Sequence, residues 1–338
     1  MIAIVLLIIS SVIGAGFATG AELQSFFAKT NLHPALLAVI VAACMLLVMS
    51  CVLFLSSKDI RPPGTLFIPV YFIFFVAMTA GVGGMFGELS KVITLALCVM
   101  IVLMGFDKIS KLNKHLISFA LVALIVFAVI NQPGTLPTGG PYTTGRTLGR
   151  AMLYAGLNCG TLFPVISNFR KRYSTRKIMT SLLIAAVSIG ILVYIIFTAT
   201  HEHRDAPLPM LSLSRNVVII SAVFISIFTS MIIGLFNLDT ALNSGVARDS
   251  KRETKPGGAR GGTPRKSTLK LIIICTLAFL LSLMGFTTIV DVVYPLLGIS
   301  ILLYIAFCFI IFFAKQHITT NKKEHAPTKN ISKKNLSK

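Results

Sequence analysis

Val12-Ile13-Gly14-Ala15-Gly16-Phe17-Ala18-Thr19-Gly20-Ala21-Glu22 is the stretch on which the fold turns. It lies at the end of an apolar run that starts at Ile2, and its three glycines each cost about 1 kcal/mol relative to alanine within a helix. The cluster therefore predicts a helix break. A break at membrane depth frees backbone groups that lipid cannot satisfy, so it must face protein, ligand or water. One alternative is helix packing, since Gly16-x-x-x-Gly20 is also a small-xxx-small seam along which two helices approach closely. A second stretch has the same character: Tyr154-Ala155-Gly156-Leu157-Asn158-Cys159-Gly160-Thr161-Leu162-Phe163-Pro164. Its proline would cost about 3 kcal/mol in a helix interior.

Outward from these stretches the chain is apolar throughout. Of 338 residues, 55% are hydrophobic and 12% charged, about half the charged share of a soluble domain. Mean hydropathy is +0.86. This balance excludes a water-soluble single domain and a disordered chain alike. A bilayer core of about 30 Å needs about 20 helical residues. Ten apolar spans are read at 2–20 (continuing to about 29), 34–55, 66–86, 92–105, 116–130, 148–167, 178–198, 217–238, 269–286 and 292–313. With both termini on one side, 25 of the 31 Lys and Arg fall on that side. Only Lys29, Lys91, Arg146, Arg150, Arg204 and Arg215 fall on the other. The positive-inside rule then predicts a cell-membrane protein with cytoplasmic N- and C-termini.

This placement also accounts for the net charge of +20. Basic loops beside an anionic inner leaflet gain about 1 kcal/mol per residue, so anionic lipids are the expected partner of the 248–270 linker and of the tail. Nucleic acid is not. The domain reading is one transmembrane unit over 1–315 and a basic, disordered cytoplasmic tail over 316–338. No charged residue precedes the first apolar run, so no cleavable signal is read there, and the true start is expected upstream of Met1.

The two glycine-rich stretches fall on spans one and six, the first helix of each set of five. Interrupted segments at matching positions of two halves point to an inverted-repeat transporter and its binding site. The fold expected is therefore all-α, with about ten transmembrane helices in a 5+5 inverted repeat and with helices 1 and 6 broken. The opening of Gly14-Ala-Gly16 also mimics a dinucleotide fingerprint, but that motif needs a βαβ unit where this chain has another apolar span. All six cysteines lie in apolar spans without metal or redox spacing. His201-Glu202-His203 reads as a solvated outer loop. No nucleophile–base pair is present, so an enzyme is not expected, and neither is a cofactor.

Val12 to Glu22, followed by Phe26-Phe27, resembles the start of the YkvI-type bacterial membrane proteins, a branch of the amino acid–polyamine–organocation transporter superfamily. Asn158 with Pro164-Val165, and Tyr294-Pro295 with Gly298, add to the resemblance, while the missing polar lead before Ile2 departs from it. The resemblance implies the 5+5 fold and places substrate-carboxylate contacts at the backbone of Ala15 and Gly16, faced by Tyr154 and Asn158. Thr19-x-x-Glu22 fits a capping box for the outer half-helix, and Glu22 equally fits a functional role.

Ser226, Thr229 and Ser230, at i, i+3 and i+4, share one helix face. In sodium-coupled relatives of the implied fold such hydroxyls join carbonyls of helix 1. The matching set for Na+ is the carbonyls of Ser10, Ile13 and Ser226 with the hydroxyls of Thr229 and Ser230. The alternative is that these hydroxyls bond the preceding turn of their own helix. No carboxylate sits at mid-depth in an uninterrupted span, which disfavours proton coupling and leaves Glu22 as its one candidate. The function expected is a secondary active transporter of an amino acid or similar small organic solute, coupled to sodium. The competing expectation is a non-transporting membrane receptor or assembly subunit that retains the fold.

Overall fold

The computed structural model describes residues 2–58, 67–104, 106–133, 140–170, 173–213, 216–249 and 264–324. Arg215, the linker from 250 to 263, and residues 325–338 of the expected tail lie outside the described residues. Every apolar span read from the sequence falls on helix. Span one comprises α1 (Ile2–Val12), α2 (Ala15–Ala18) and α3 (Ala21–Phe27). Spans two to five are α4 (Pro34–Ser57), α5 (Ile68–Phe86), α6 (Glu88–Leu103) and α7 (Phe106–Ile130). Span six is α8 (Thr144–Arg170) and span seven α9 (Thr175–Thr200), with a short α10 (Pro209–Leu213) before α11 (Val217–Asp249). Then come α12 (Pro264–Ser282), α13 (Phe286–Thr288), a π-helical turn (Ile289–Val293) and α14 (Tyr294–Glu324). No strand occurs among the described residues. Helix α14 runs to Glu324, past the expected domain end at 315.

Among the described residues, five helices are long and apolar enough to cross a membrane: α4, α5, α9, α11 and α14. These helices and their neighbours are apolar on both sides. Inward, Phe75, Met45, Leu182 and Ile227 are buried; outward, Leu97, Met100, Val126, Leu280 and Leu303 are exposed. A soluble monomer rarely exposes so continuous an apolar surface, and a lipid-facing one must. The apolar helices fit a membrane-embedded protein.

Helix α4 packs on α8 and α9, α11 on α5 and α7, and α14 on α8, while α1 lies against α9. Helices α5 and α6 meet at a corner of one residue, Gly87, whose φ of 84° suits glycine alone. Beyond that corner Lys91, read as an outer-loop residue, is buried within α6 and pairs with Glu88 at 2.8 Å. Other segments expected on the same side as Lys91 meet one another. Tyr142 N donates to the Lys29 carbonyl at 2.9 Å, and Lys29, Arg150, Arg204 and Asp291 line one cavity. At the opposite ends Phe54 of α4 stacks on Phe309 of α14 at 5.7 Å.

Span one is broken as expected. Span six is not. Helix α8 runs without interruption from Thr144 to Arg170, through both of its central glycines and Pro164. The reason is packing. A Cβ on Gly156 would stand 2.7 Å from Leu302 Cγ and 2.9 Å from the Gly298 carbonyl, and one on Gly160 would collide with Ile301. A Cβ on Gly298 would in turn collide with the Leu153 carbonyl. These glycines form the seam that seats α14 against α8. The small-xxx-small reading weighed for span one describes span six instead.

Candidate functional site

Span one loses its helix in two steps. Ile13 N closes the last regular turn on the Ile9 carbonyl at 3.0 Å, and Gly14 N turns back on Val12 O at 2.9 Å. One turn of α2 follows, held by Ala18 N on Gly14 O at 2.9 Å. The chain then swings through Gly20, where φ is 76° and a Cβ would stand 2.8 Å from Thr200 Cγ2. Only glycine meets both demands. The first N–H groups of any helix lack intrahelical acceptors, and α2 and α3 each begin a new set within the span.

Neighbouring elements satisfy the acceptors that the break releases. Ser230 Oγ of α11 donates to the Ile13 carbonyl at 2.9 Å. Met210 N of α10 donates to Thr19 O at 2.8 Å. Thr19 Oγ1 reaches back to the Gly16 carbonyl at 3.2 Å. The capping box does not form. The residue capping α3 is Gly20, without a side-chain bond, and Glu22 turns instead toward α8.

That turn builds a polar cluster in apolar surroundings. Glu22 Oε1 accepts from Asn158 Nδ2 at 3.1 Å, and Asn158 Nδ2 also donates to the Tyr154 carbonyl at 3.0 Å. Glu22 Oε2 occupies the space above Gly16, 2.6 Å from where a Cβ would stand. The Tyr154 ring sits edge-on to Phe26 and Phe27, each at 5.5 Å, and its buried hydroxyl has no hydrogen-bond partner. Gly16, Tyr154 and Asn158, expected to face each other, therefore do meet, with Glu22 between them. Ala15 lies in the first turn of α2; its side chain is outside the described residues.

The hydroxyl triplet divides. Ser226 Oγ donates to Ala222 O at 2.9 Å, and Thr229 Oγ1 to Ile225 O at 2.8 Å and Ser226 O at 3.1 Å. Those two follow the own-helix alternative. Ser230 alone crosses to span one. Ser10 lies in the last turn of α1, with its side chain outside the described residues. All three hydroxyl residues are buried.

Sequence reasoning missed Gln24 entirely. Its Nε2 donates to Phe197 O at 3.0 Å and Thr200 Oγ1 at 2.8 Å, while its buried Oε1 has no partner. The signal available was an amide two residues after Glu22 in an otherwise aromatic half-helix. Gln24 also lines a cavity of about 860 Å³, together with Lys29, Arg150, His201 and Asp291. This volume lies within the usual range for a small-molecule site. Arg150 Nη1 holds the far end of α3 through the Ser25 and Phe26 carbonyls at 2.8 and 3.3 Å, and its guanidinium stacks 4.9 Å above Tyr142. His201 is not a freely solvated loop residue: its ring meets Phe197 at 5.5 Å.

Compared with known protein families and with curated proteins, the chain matches none.

Proposed function

We propose that the protein is a secondary active transporter of an amino acid or similar small organic solute, coupled to sodium and inserted with both termini cytoplasmic. The observation that carries the proposal is the Ile13 carbonyl, released by the break in span one and met by Ser230 from α11. Backbone oxygen of a discontinuous helix beside a hydroxyl of a distant helix is the pairing that a hard cation needs, and sodium wants several such oxygens. The remainder is assigned to the Ser10 and Ser226 carbonyls and the Thr229 hydroxyl, which without an ion bonds the Ile225 and Ser226 carbonyls. The solute carboxylate is assigned to the leading amides of α2 at Ala15 and Gly16, with Tyr154 and Asn158 opposite.

Helix pairings support the 5+5 arrangement. Exchanging each span with the one five later maps α1 against α9 onto α8 against α4, and α5 against α12 onto α11 against α6; all four pairs are in contact. The close pairs of α7 with α11 and α8 with α14 have no strong counterparts, so any repeat is partial. The cavity lined by Ala21 and Gln24 lies along α3, next to Gly20, and is of a size for a small solute.

The test is uptake by proteoliposomes across a panel of amino acids, with and without a sodium gradient. The reading requires an uptake that sodium drives and that Thr229→Ala with Ser230→Ala uncouples; equal sodium dependence in the double variant removes the ion site. The unbroken α8 favours the other reading, a receptor or assembly subunit that keeps the fold. It requires ligand-induced stabilisation without net flux.

A further inference from the structure

We propose that Glu22 is a proton-binding site, its carboxyl taking up one proton each time α3 closes against α8 and releasing it when α3 swings away. The proposal stands apart from the sodium reading, because the site exists whether or not the chain carries a solute. Glu22 is 2% exposed. One oxygen accepts from the Asn158 amide at 3.1 Å, and the other lies over the Gly16 backbone. Among the described residues no Lys, Arg or His forms an ion pair with it.

Each element packed on α3 leaves the charge uncompensated. From α8 come the Tyr154 phenol, which is neutral, and Arg150, which is directed to the carbonyls of Ser25 and Phe26. Helix α2 carries no titratable side chain, and directly after the π turn stands the buried Tyr294, a second neutral phenol. The π turn supplies Asp291, of the same sign, and the end of α9 supplies His201; both line the outer cavity. One neutral amide offsets little of the cost of a buried carboxylate, which is several kcal/mol even after relaxation. The group must therefore meet a positive charge to be enclosed in this way. A sodium ion would need several oxygens, whereas the carboxyl touches an amide NH₂ and a glycine backbone. A proton needs only a lone pair on Oε2. It is delivered by hydronium, which leaves as water, and it breaks no bond in the chain.

Two polar features argue that this group is reached during function. It hangs from α3, whose only backbone link to α2 passes through the left-handed Gly20. The Tyr154 hydroxyl beside it is buried with an unused donor. Opening at Gly20 would carry Glu22 away from Asn158 and toward the cavity that its neighbours Ala21 and Gln24 line.

Infrared difference spectroscopy of the full chain in lipid nanodiscs at neutral pH tests this directly. Wild type should show the C=O band of a hydrogen-bonded carboxylic acid that shifts in D₂O, and Glu22→Gln should lose that band while melting at the same temperature. The glutamine keeps an oxygen for Asn158. Should Glu22→Gln fail to fold, Asn158→Ala serves: it should move the band without abolishing it. Added sodium chloride or methylammonium chloride should leave the band in place. Absence of the band from folded wild type, its survival in Glu22→Gln, its indifference to Asn158→Ala, or its loss on adding either salt overturns the proposal.

Discussion

Spans one and six carry glycine-rich stretches of nearly the same composition and end in opposite structures. In span one the chain leaves the helix at Gly14 and again at Gly20. In span six it does not leave at all. What differs is the company each glycine keeps. Gly16 and Gly20 make room for polar side chains, the Glu22 carboxyl and Thr200, whereas Gly156 and Gly160 make room for Leu302 and Ile301. A glycine facing an apolar partner helix lets two rods close together. At Gly20 the backbone turns beside Thr200, whereas at Gly14 a Cβ would meet only Met78 Cε at 3.2 Å, and the turn there is met by the Ser230 bond to the Ile13 carbonyl. The intrinsic cost of about 1 kcal/mol per glycine is the same in both places and decides neither.

This contrast can be broken at its strongest point first. Gly298→Val places a side chain against the Leu153 carbonyl, where only main chain stands opposite. It should cost about 3 kcal/mol, at the upper end of overpacking effects, and abolish monodisperse protein in size-exclusion chromatography. Next comes Gly20→Ala, which forces a left-handed residue at about 1–2 kcal/mol and adds a contact with Thr200. Its melting temperature should fall clearly, and Thr200→Ser, which removes the methyl group, should recover only the contact part. Ser230→Ala removes the bond to Ile13 and should lose about 1 kcal/mol in detergent melts. In a sodium-driven uptake assay the same variant should also raise the sodium concentration needed. The smallest effect has the opposite sign. Gly149, exposed on α8 with open space around it, should gain about 0.5–1 kcal/mol as alanine, because nothing there uses the missing side chain.

The helices were legible because span length and apolar content need no tertiary information. Pro34 opens α4, and Val217 opens α11, at the residues where the apolar runs begin. The break in span one was legible for a similar reason, since three glycines leave little to hold a helix together. The continuity of span six was hidden in Gly298, Ile301 and Leu302, which lie more than a hundred positions away. Glu22 shows the same limit at the site. Its spacing from Thr19 fits a local cap, but its partner is Asn158, separated by 136 positions. Asn158 lies within reach of span one, but the Glu22 carboxyl that joins it to Gly16 could not be read from spacing. The hydroxyl triplet was read as one unit because periodicity shows which residues share a face. It does not show that Ser226 and Thr229 turn back on α11 while Ser230 reaches across.

The most direct measurement compares amide hydrogen exchange in the two stretches, with the protein in lipid nanodiscs and no ligand present. One interrupted span beside one intact rod predicts faster exchange at Ala15 to Phe17, the opening amides of α2, and strong protection at Gly156 to Gly160. Equal protection in the two stretches would contradict it, and so would exchange that is faster in α8.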